Sequence, residues 1–270
     1  MNQSMISAAV TMGQLQQKLD TISNNMANSN TNGYKRRDVQ FSDLLVQQIE
    51  SNQLNDAEVG RTTPNGTRLG TGARASSTSV SLNAGALQQT GRTLDVALNE
   101  PGMFFQIQTG DGTQYTRNGA FYLSPSANNP NVMELVTSEG NLVMGVNGPI
   151  TIPADNQKIS IGQNGQVSVT LNNGTVVESG QLSLVNIVRP QLMLAVGQNF
   201  QAPQGIPLNQ LLQQLGAGSG NFVQQGALES SNVDISKEMT DMIQTQRSYQ
   251  FNARSLTMAD QMMGLVNGLR

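Results

Sequence analysis

The sequence predicts an α+β protein in which N- and C-terminal coiled-coil helices are brought together and an antiparallel β domain lies between them. Three observations carry this. Met5, Ala8, Met12, Leu15, Leu19, Ile22 and Met26 form an apolar seam at alternating spacings of three and four. Near the other end Ile235, Met239, Met242, Tyr249, Ala253 and Leu256 keep the same spacing, with Gln246 as one polar interruption, and Ala259, Met263 and Val266 carry it on after a phase slip. Between them the hydrophobic period drops to two, the spacing of a half-buried strand.

The first helix is predicted from about Gln3 to Ala27, roughly 37 Å at 1.5 Å per residue. It stops at Asn28-Ser29-Asn30-Thr31-Asn32-Gly33, where Asn and Gly supply helix-ending conformations. A short piece with Phe41, Leu44 and Leu45 follows, completing an N-terminal segment 1–45. Residues 46–81 are polar, carry Pro64-Asn65-Gly66 and Gly70-Thr71-Gly72, show no sustained period and read as extended or loop-like. The β domain is assigned to 82–204. Phe105-Gln106-Ile107-Gln108, Ile159-Ser160-Ile161, Val167-Ser168-Val169-Thr170-Leu171 and Leu182-Ser183-Leu184 alternate, and Asn118-Gly119, Asn164-Gly165 and Asn173-Gly174 predict hairpin turns with positive φ at both positions. Residues 205–231 read as a Gly-rich linker around Gly216-Ala217-Gly218-Ser219-Gly220. The last helix, in 232–270, is predicted to start near Asn232 or Asp234, either of which could cap it, with Glu238 in its first turns where the helix dipole favours an anion. At about 35 residues it exceeds ordinary globular helices and favours coiled-coil packing. Alone, the N-terminal helix should be frayed unless it pairs with the C-terminal one, because ordering its backbone outweighs burying one seam.

Composition excludes more than it assigns. Charged residues are 12% and aromatics 4% of 270 residues, and the net charge of -3 leaves no electrostatic footprint for nucleic acid. The run Lys35-Arg36-Arg37 reads as a solvated loop. With no Cys and no His the chain lacks disulfides, thiolate metal ligands and the commonest general base, so no catalytic residue, metal or cofactor is assigned. The Gly-rich stretch lacks the Lys-Ser or Lys-Thr of a phosphate loop. Asp234 and Glu238 are better read as a cap and a surface carboxylate than as an acid/base pair. Gln246-Arg247 is open to two readings, an exposed arginine beside a tolerated glutamine or a register-setting polar contact between helices. The methionines, including Met262 and Met263, read as seam fillers. The first residues lack the charge and apolar run of a cleavable secretory signal, and no stretch reaches the ~20 apolar residues of a membrane span.

Leu19-Asp20-Thr21-Ile22-Ser23-Asn24-Asn25-Met26-Ala27-Asn28-Ser29-Asn30-Thr31-Asn32-Gly33-Tyr34-Lys35-Arg36 closely resembles the N-terminal signature of bacterial flagellar rod and hook proteins. Gln225-Gly226-Ala227-Leu228-Glu229-Ser230-Ser231-Asn232-Val233-Asp234, followed by Glu238-Met239, Met242-Ile243 and Gln246-Arg247-Ser248-Tyr249, is similar to that family's C-terminal signature. Leu94-Asp95-Val96-Ala97-Leu98, Gly102-Met103-Phe104-Phe105-Gln106, Tyr115-Thr116-Arg117-Asn118-Gly119-Ala120-Phe121 and Val196-Gly197-Gln198-Asn199-Phe200 match its β-domain pattern, so the likeness covers nearly the whole chain. Its length and the segment from Pro64 to Arg74 look most like the distal rod protein. Asn99-Glu100-Pro101 departs from the usual glycine-containing turn, and Asn128-Asn129-Pro130-Asn131 looks like a local insertion, which leaves a proximal-rod or lineage-specific rod or hook paralogue as the alternative.

The resemblance implies a structural subunit exported unfolded through the flagellar type III gate without a cleaved leader, and located outside the cytoplasm in the basal body. It implies a helical homopolymer that transmits torque and contacts neighbouring rod and hook proteins, and bushing ring proteins where the organism has them. No nucleic acid partner and no membrane insertion are expected. The seam residues Met5, Met12, Leu15, Leu19, Ile22, Met26, Ile235, Met239, Met242, Gln246, Arg247, Tyr249, Leu256 and Met263 are the expected assembly surface. Phe41, Leu44 and Leu45 resemble the gate-recognition element, and a short amphipathic packing turn is the plainer reading. The polar stretch from Glu50 to Arg74 is expected to bridge subunits and stiffen the shaft. A soluble β binding module with helical ends is the remote alternative. Four Tyr and no Trp offer little for sugar stacking.

Overall fold

Spacing of three and four becomes helix at both ends of the chain, and spacing of two becomes sheet between them. The computed structural model describes residues 2–43, 46–49, 67–70, 73–126, 129–214 and 220–268. Helix α1 runs Asn2–Ala27, a single turn α2 runs Leu208–Leu211, and α3 runs Ile235–Gly268 over 34 residues. The chain divides into two compact units, one of 1–24, 37–79 and 235–270, the other of 25–36 and 80–234.

In the first unit α1 and α3 lie in contact. The same unit holds two-stranded ribbons, the first of them antiparallel. Val46–Ile49 pairs with Thr67–Gly70, and Arg37–Asp43 pairs with Ala73–Val80. The described parts of the polar stretch 46–81 are therefore strands. Its Thr, Ser and Arg side chains give no apolar alternation, but backbone pairing needs none.

The second unit is built on an 11-stranded sheet whose main path is 151–153, 132–136, 142–145, 103–109, 112–116, 199–201 and 194–196. Its central strand Met103–Thr109 is buried on both faces. Phe105 and Ile107 enter one core with Phe121, Val143, Ile150 and Val167, while Phe104 enters the other with Tyr115, Val185, Phe200 and Leu211. Edge-to-face ring pairs mark both cores, Phe105 with Phe121 at 5.1 Å and Phe104 with Phe200 at 5.3 Å. A three-stranded sheet, 156–161, 166–171 and 176–181, lays Ile159, Ile161, Val167 and Val169 on the first core.

Two of the three Asn-Gly pairs close hairpins, by a different turn from the one expected. Gly162 N–H donates to Gln166 O at 2.8 Å and Gly165 N–H to Gly162 O at 2.9 Å, with the same pattern between Leu171 and Thr175. These are three-residue loops in which Gly165 and Gly174 alone have positive φ, and the preceding Asn stays at negative φ. Asn118-Gly119 closes no hairpin. A Cβ on Gly119 would lie 1.7 Å from the Val96 carbonyl oxygen, so glycine is there to let that backbone approach and receive the Val96 N–H at 3.0 Å.

Much of the stretch read as a linker is built into the second unit. Val223–Gln225 pairs with Val96–Leu98, Ala227–Glu229 pairs with Leu87–Gln89, and Val223 is fully buried. The Gly-rich residues 215–219 lie outside the described residues. Asn232 does not cap α3. Its side chain spans to Arg36 N, Ser81 O and Asn83 O instead, which leaves Asp234 at the capping position.

Candidate functional site

On α1 Ile22 is buried, and Met5, Ala8, Met12, Leu15, Leu19 and Met26 are each half-buried. On α3 the packed line is rotated from the predicted seam. Met242, Tyr249, Leu256 and Met263 are half-buried, and they alternate with Glu238, Thr245, Asn252 and Ala259, of which Glu238 is 0% exposed. These eight positions step by four and three, so they form one heptad face. Sequence reading took Glu238 for a surface carboxylate, because a polar residue at a packed position carries no hydropathy signal. Thr245 meets burial by donating its hydroxyl to Asp241 O at 2.6 Å, within its own helix.

The remaining predicted residues of α3 lie on the outside. Ile235, Met239, Gln246 and Arg247 are exposed, and Ile243, Phe251, Met258, Met262 and Leu265 are exposed with them. The helix thus packs one heptad face within the chain and leaves further apolar side chains, spread around its other side, exposed to solvent in the single chain. In the N-terminal segment Phe41 sits on a strand, not a turn, 39% exposed, with the Lys18 ammonium 6.0 Å from its ring centroid. Leu44 and Leu45 lie outside the described residues.

A second feature was missed altogether. Lys35, read as solvated, is 3% exposed, and its Nζ donates to Glu229 Oε1 at 2.6 Å and to the Asn83 carbonyl at 2.7 Å. The same carboxylate accepts Gly85 N–H at 2.7 Å and, on its other oxygen, Arg117 Nε. Arg117 spends its remaining donors on the carbonyls of Glu100 at 2.7 Å, Met103 at 2.5 Å and Leu98 at 3.1 Å. Both ion pairs are 1% exposed.

Burial pushes the Lys35 ammonium below its ordinary range, against the pull of Glu229. Burial pushes Glu229 up, but the Arg117 charge and the hydrogen bonds from Lys35 and Arg117 outweigh it and hold the carboxyl below its ordinary value. Backbone contacts close the same junction. Gly33, at φ +72°, donates its N–H to Glu229 O at 2.8 Å and lies so near the Arg117–Asn118 peptide that a Cβ would be 2.6 Å from it. Arg36 N–H donates to Asn232 Oδ1 at 2.7 Å, and Tyr34 Oη donates to Asn25 Oδ1 at 3.1 Å. The one available sequence signal was a pair of charges, Arg117 and Glu229, inside strand-forming runs of a chain poor in charge. Their partner Lys35 lies 194 positions from Glu229, beyond any local pattern.

Among the described residues no cluster of His, Cys, Asp or Glu could hold a metal, and no helix is long and apolar enough to cross a membrane. What the geometry provides is a pinned junction between 25–36 and 225–234 and a helix with uncovered apolar side chains.

Three family models match along the chain. Residues 5–35 match the flagella basal body rod protein model, 101–169 the flagellar hook protein FlgE/F/G D1 domain, and 224–269 the flagellar basal body rod FlgEFG protein C-terminal model. The flagellar hook-basal body complex protein FlhP of Bacillus subtilis is 44% identical over the whole of both chains. The flagellar basal-body rod proteins FlgG of Bacillus subtilis and of Agrobacterium fabrum are each 37% identical, over 97% and 96% of both chains. The two terminal models cover the two predicted helical ends, and the relatives span the β unit as well, so the chain belongs to the flagellar basal-body rod and hook protein family.

Proposed function

We propose that this protein is a structural subunit of the flagellar rod, most similar in role to its distal part, which polymerises helically into a shaft that carries torque. The exposed apolar side chains Ile235, Met239, Ile243, Phe251, Met258, Met262 and Leu265 carry the reading. The helix packs one face inside its own chain and leaves these side chains for neighbouring subunits. The same reading has the subunit leave the cell through the type III gate by a segment around Phe41, Leu44 and Leu45. It makes adjacent rod and hook proteins the axial neighbours, and the stretch from Glu50 to Arg74 a stiffening bridge between copies.

The identity to FlhP exceeds that to either FlgG, and this favours a second reading in which the chain is a lineage-specific rod paralogue beside a separate distal rod protein. Electron microscopy of basal bodies from a strain lacking the gene separates the two. A rod truncated before the hook supports the distal rod. Complete hooks with altered rod length support the paralogue, and unchanged basal bodies refute both.

A further inference from the structure

The buried charge lock joins three stretches of chain, and its charges do not balance symmetrically. The β framework supplies Arg117, the C-terminal stretch supplies Glu229, and the N-terminal stretch supplies Lys35. Seating the C-terminal stretch first brings an anion to a buried cation. Seating the N-terminal stretch first would bring a second buried cation beside Arg117 with no anion present, and uncompensated buried charge is among the costliest states a protein can adopt.

The backbone bonds have the same asymmetry. Ala227–Glu229 pairs with Leu87–Gln89, and Ser230 N–H donates to Ala86 O at 2.9 Å, all without the N-terminal stretch. The N-terminal stretch, in contrast, takes only the Ser81 N–H to Arg36 O bond and the Lys35 to Asn83 O bond from the start of the β unit, and its other bonds across the junction fall on C-terminal atoms. Gly33 donates to the Glu229 carbonyl, Arg36 N–H to the Asn232 side chain, and Lys35 to the Glu229 carboxylate.

We propose that the two chain ends dock on the β unit in a fixed order. Residues 227–232 seat first and complete a charge-neutral socket whose Glu229 carboxylate keeps one oxygen for an ammonium, and Lys35 then carries 31–36 into it. The stretch that comes first in the sequence is the last to seat, so on a chain that has yet to present Glu229 the segment following α1 lacks its side-chain anchor and keeps at most its bonds to the backbone at 81–83.

Hydrogen exchange on the full chain tests this, with amides of the core strand 103–109 as internal reference. In Glu229→Gln the protection of 33–36 should fall by roughly 100-fold or more while the core strand keeps its own. Gly33→Val, which sets a side chain against the Arg117–Asn118 backbone, should open 33–36 but leave 227–230 within about tenfold of the parent. Lys35→Met combined with Glu229→Gln should restore part of the protection at 33–36, because no bare ammonium then has to be buried. Parental protection of 33–36 in Glu229→Gln, or no recovery in the double variant, would overturn the charge argument. Equal opening of both stretches in Gly33→Val would show that the ends seat as one, and loss of the core strand in any variant would show that the β unit depends on them.

Discussion

Glu229 sits between two cations that differ in what they could do without it. Arg117 keeps three carbonyl partners, whereas Lys35 keeps one. The linkage follows from the directions of the shifts. Glu229 is held below its ordinary 4.5, so its contribution is present above that pH and is lost as pH falls through the lower folded value. Lys35 is held below 10.5, so between its folded and unfolded values the unfolded chain binds more protons, and its burden on stability lightens as pH rises toward 10.5. Acid titration followed by near-ultraviolet tyrosine dichroism, which samples Tyr34, Tyr115 and Tyr122 of the second unit, should show loss of tertiary signal below pH 4.5. Glu229→Gln should flatten that limb, and an unchanged acid limb in this variant would remove the lock as its cause. None of this was legible locally. A lysine followed by two arginines after an Asn-rich loop looks solvated until the strand ending at Glu229 is folded against it.

At the scale of elements, sequence was most informative where a repeat extended over many residues. The bounds of α1 and α3 follow from the seams almost to the residue, but the face of α3 that packs does not. Hydropathy sees Met239 and Ile243 and passes over Glu238 and Thr245, although the latter pair is buried and the former exposed. Tertiary fit chose the face, and the apolar residues left outside point to intermolecular use. Replacing Ile243 by Glu should therefore leave the helix content of the isolated chain within error by far-ultraviolet dichroism and abolish its incorporation into basal bodies. A drop in monomer helicity would mean that Ile243 already packs within the chain. The β domain was legible as alternation and as Gly-bearing turns, whereas strand order was not. Pairing of 103–109 with 184–187, and of 96–98 with 223–225, joins residues whose separation no short-range pattern encodes.

At the scale of the whole molecule, family membership was readable because its signatures are long and sit at both ends. Their physical meaning required the fold: the N-terminal signature from Asn25 to Arg36 and the C-terminal one from Gln225 to Asp234 are the two halves of one junction. The bond from Gly33 to Glu229 has a further consequence. Lys35 and Asn232 also bond the backbone at Ser81 and Asn83, so the chain enters and leaves the β unit at one spot, and the stretch from Asn83 to Glu229 behaves as an insert whose size is decoupled from the geometry of its stem. A small folded domain spliced into the exposed Asn173-Gly174 turn should leave the exchange protection of 33–36 and 227–230 unchanged. With its stem pinned, a lineage could enlarge or trim the outer lobe of this subunit and still deliver the same pair of helical ends.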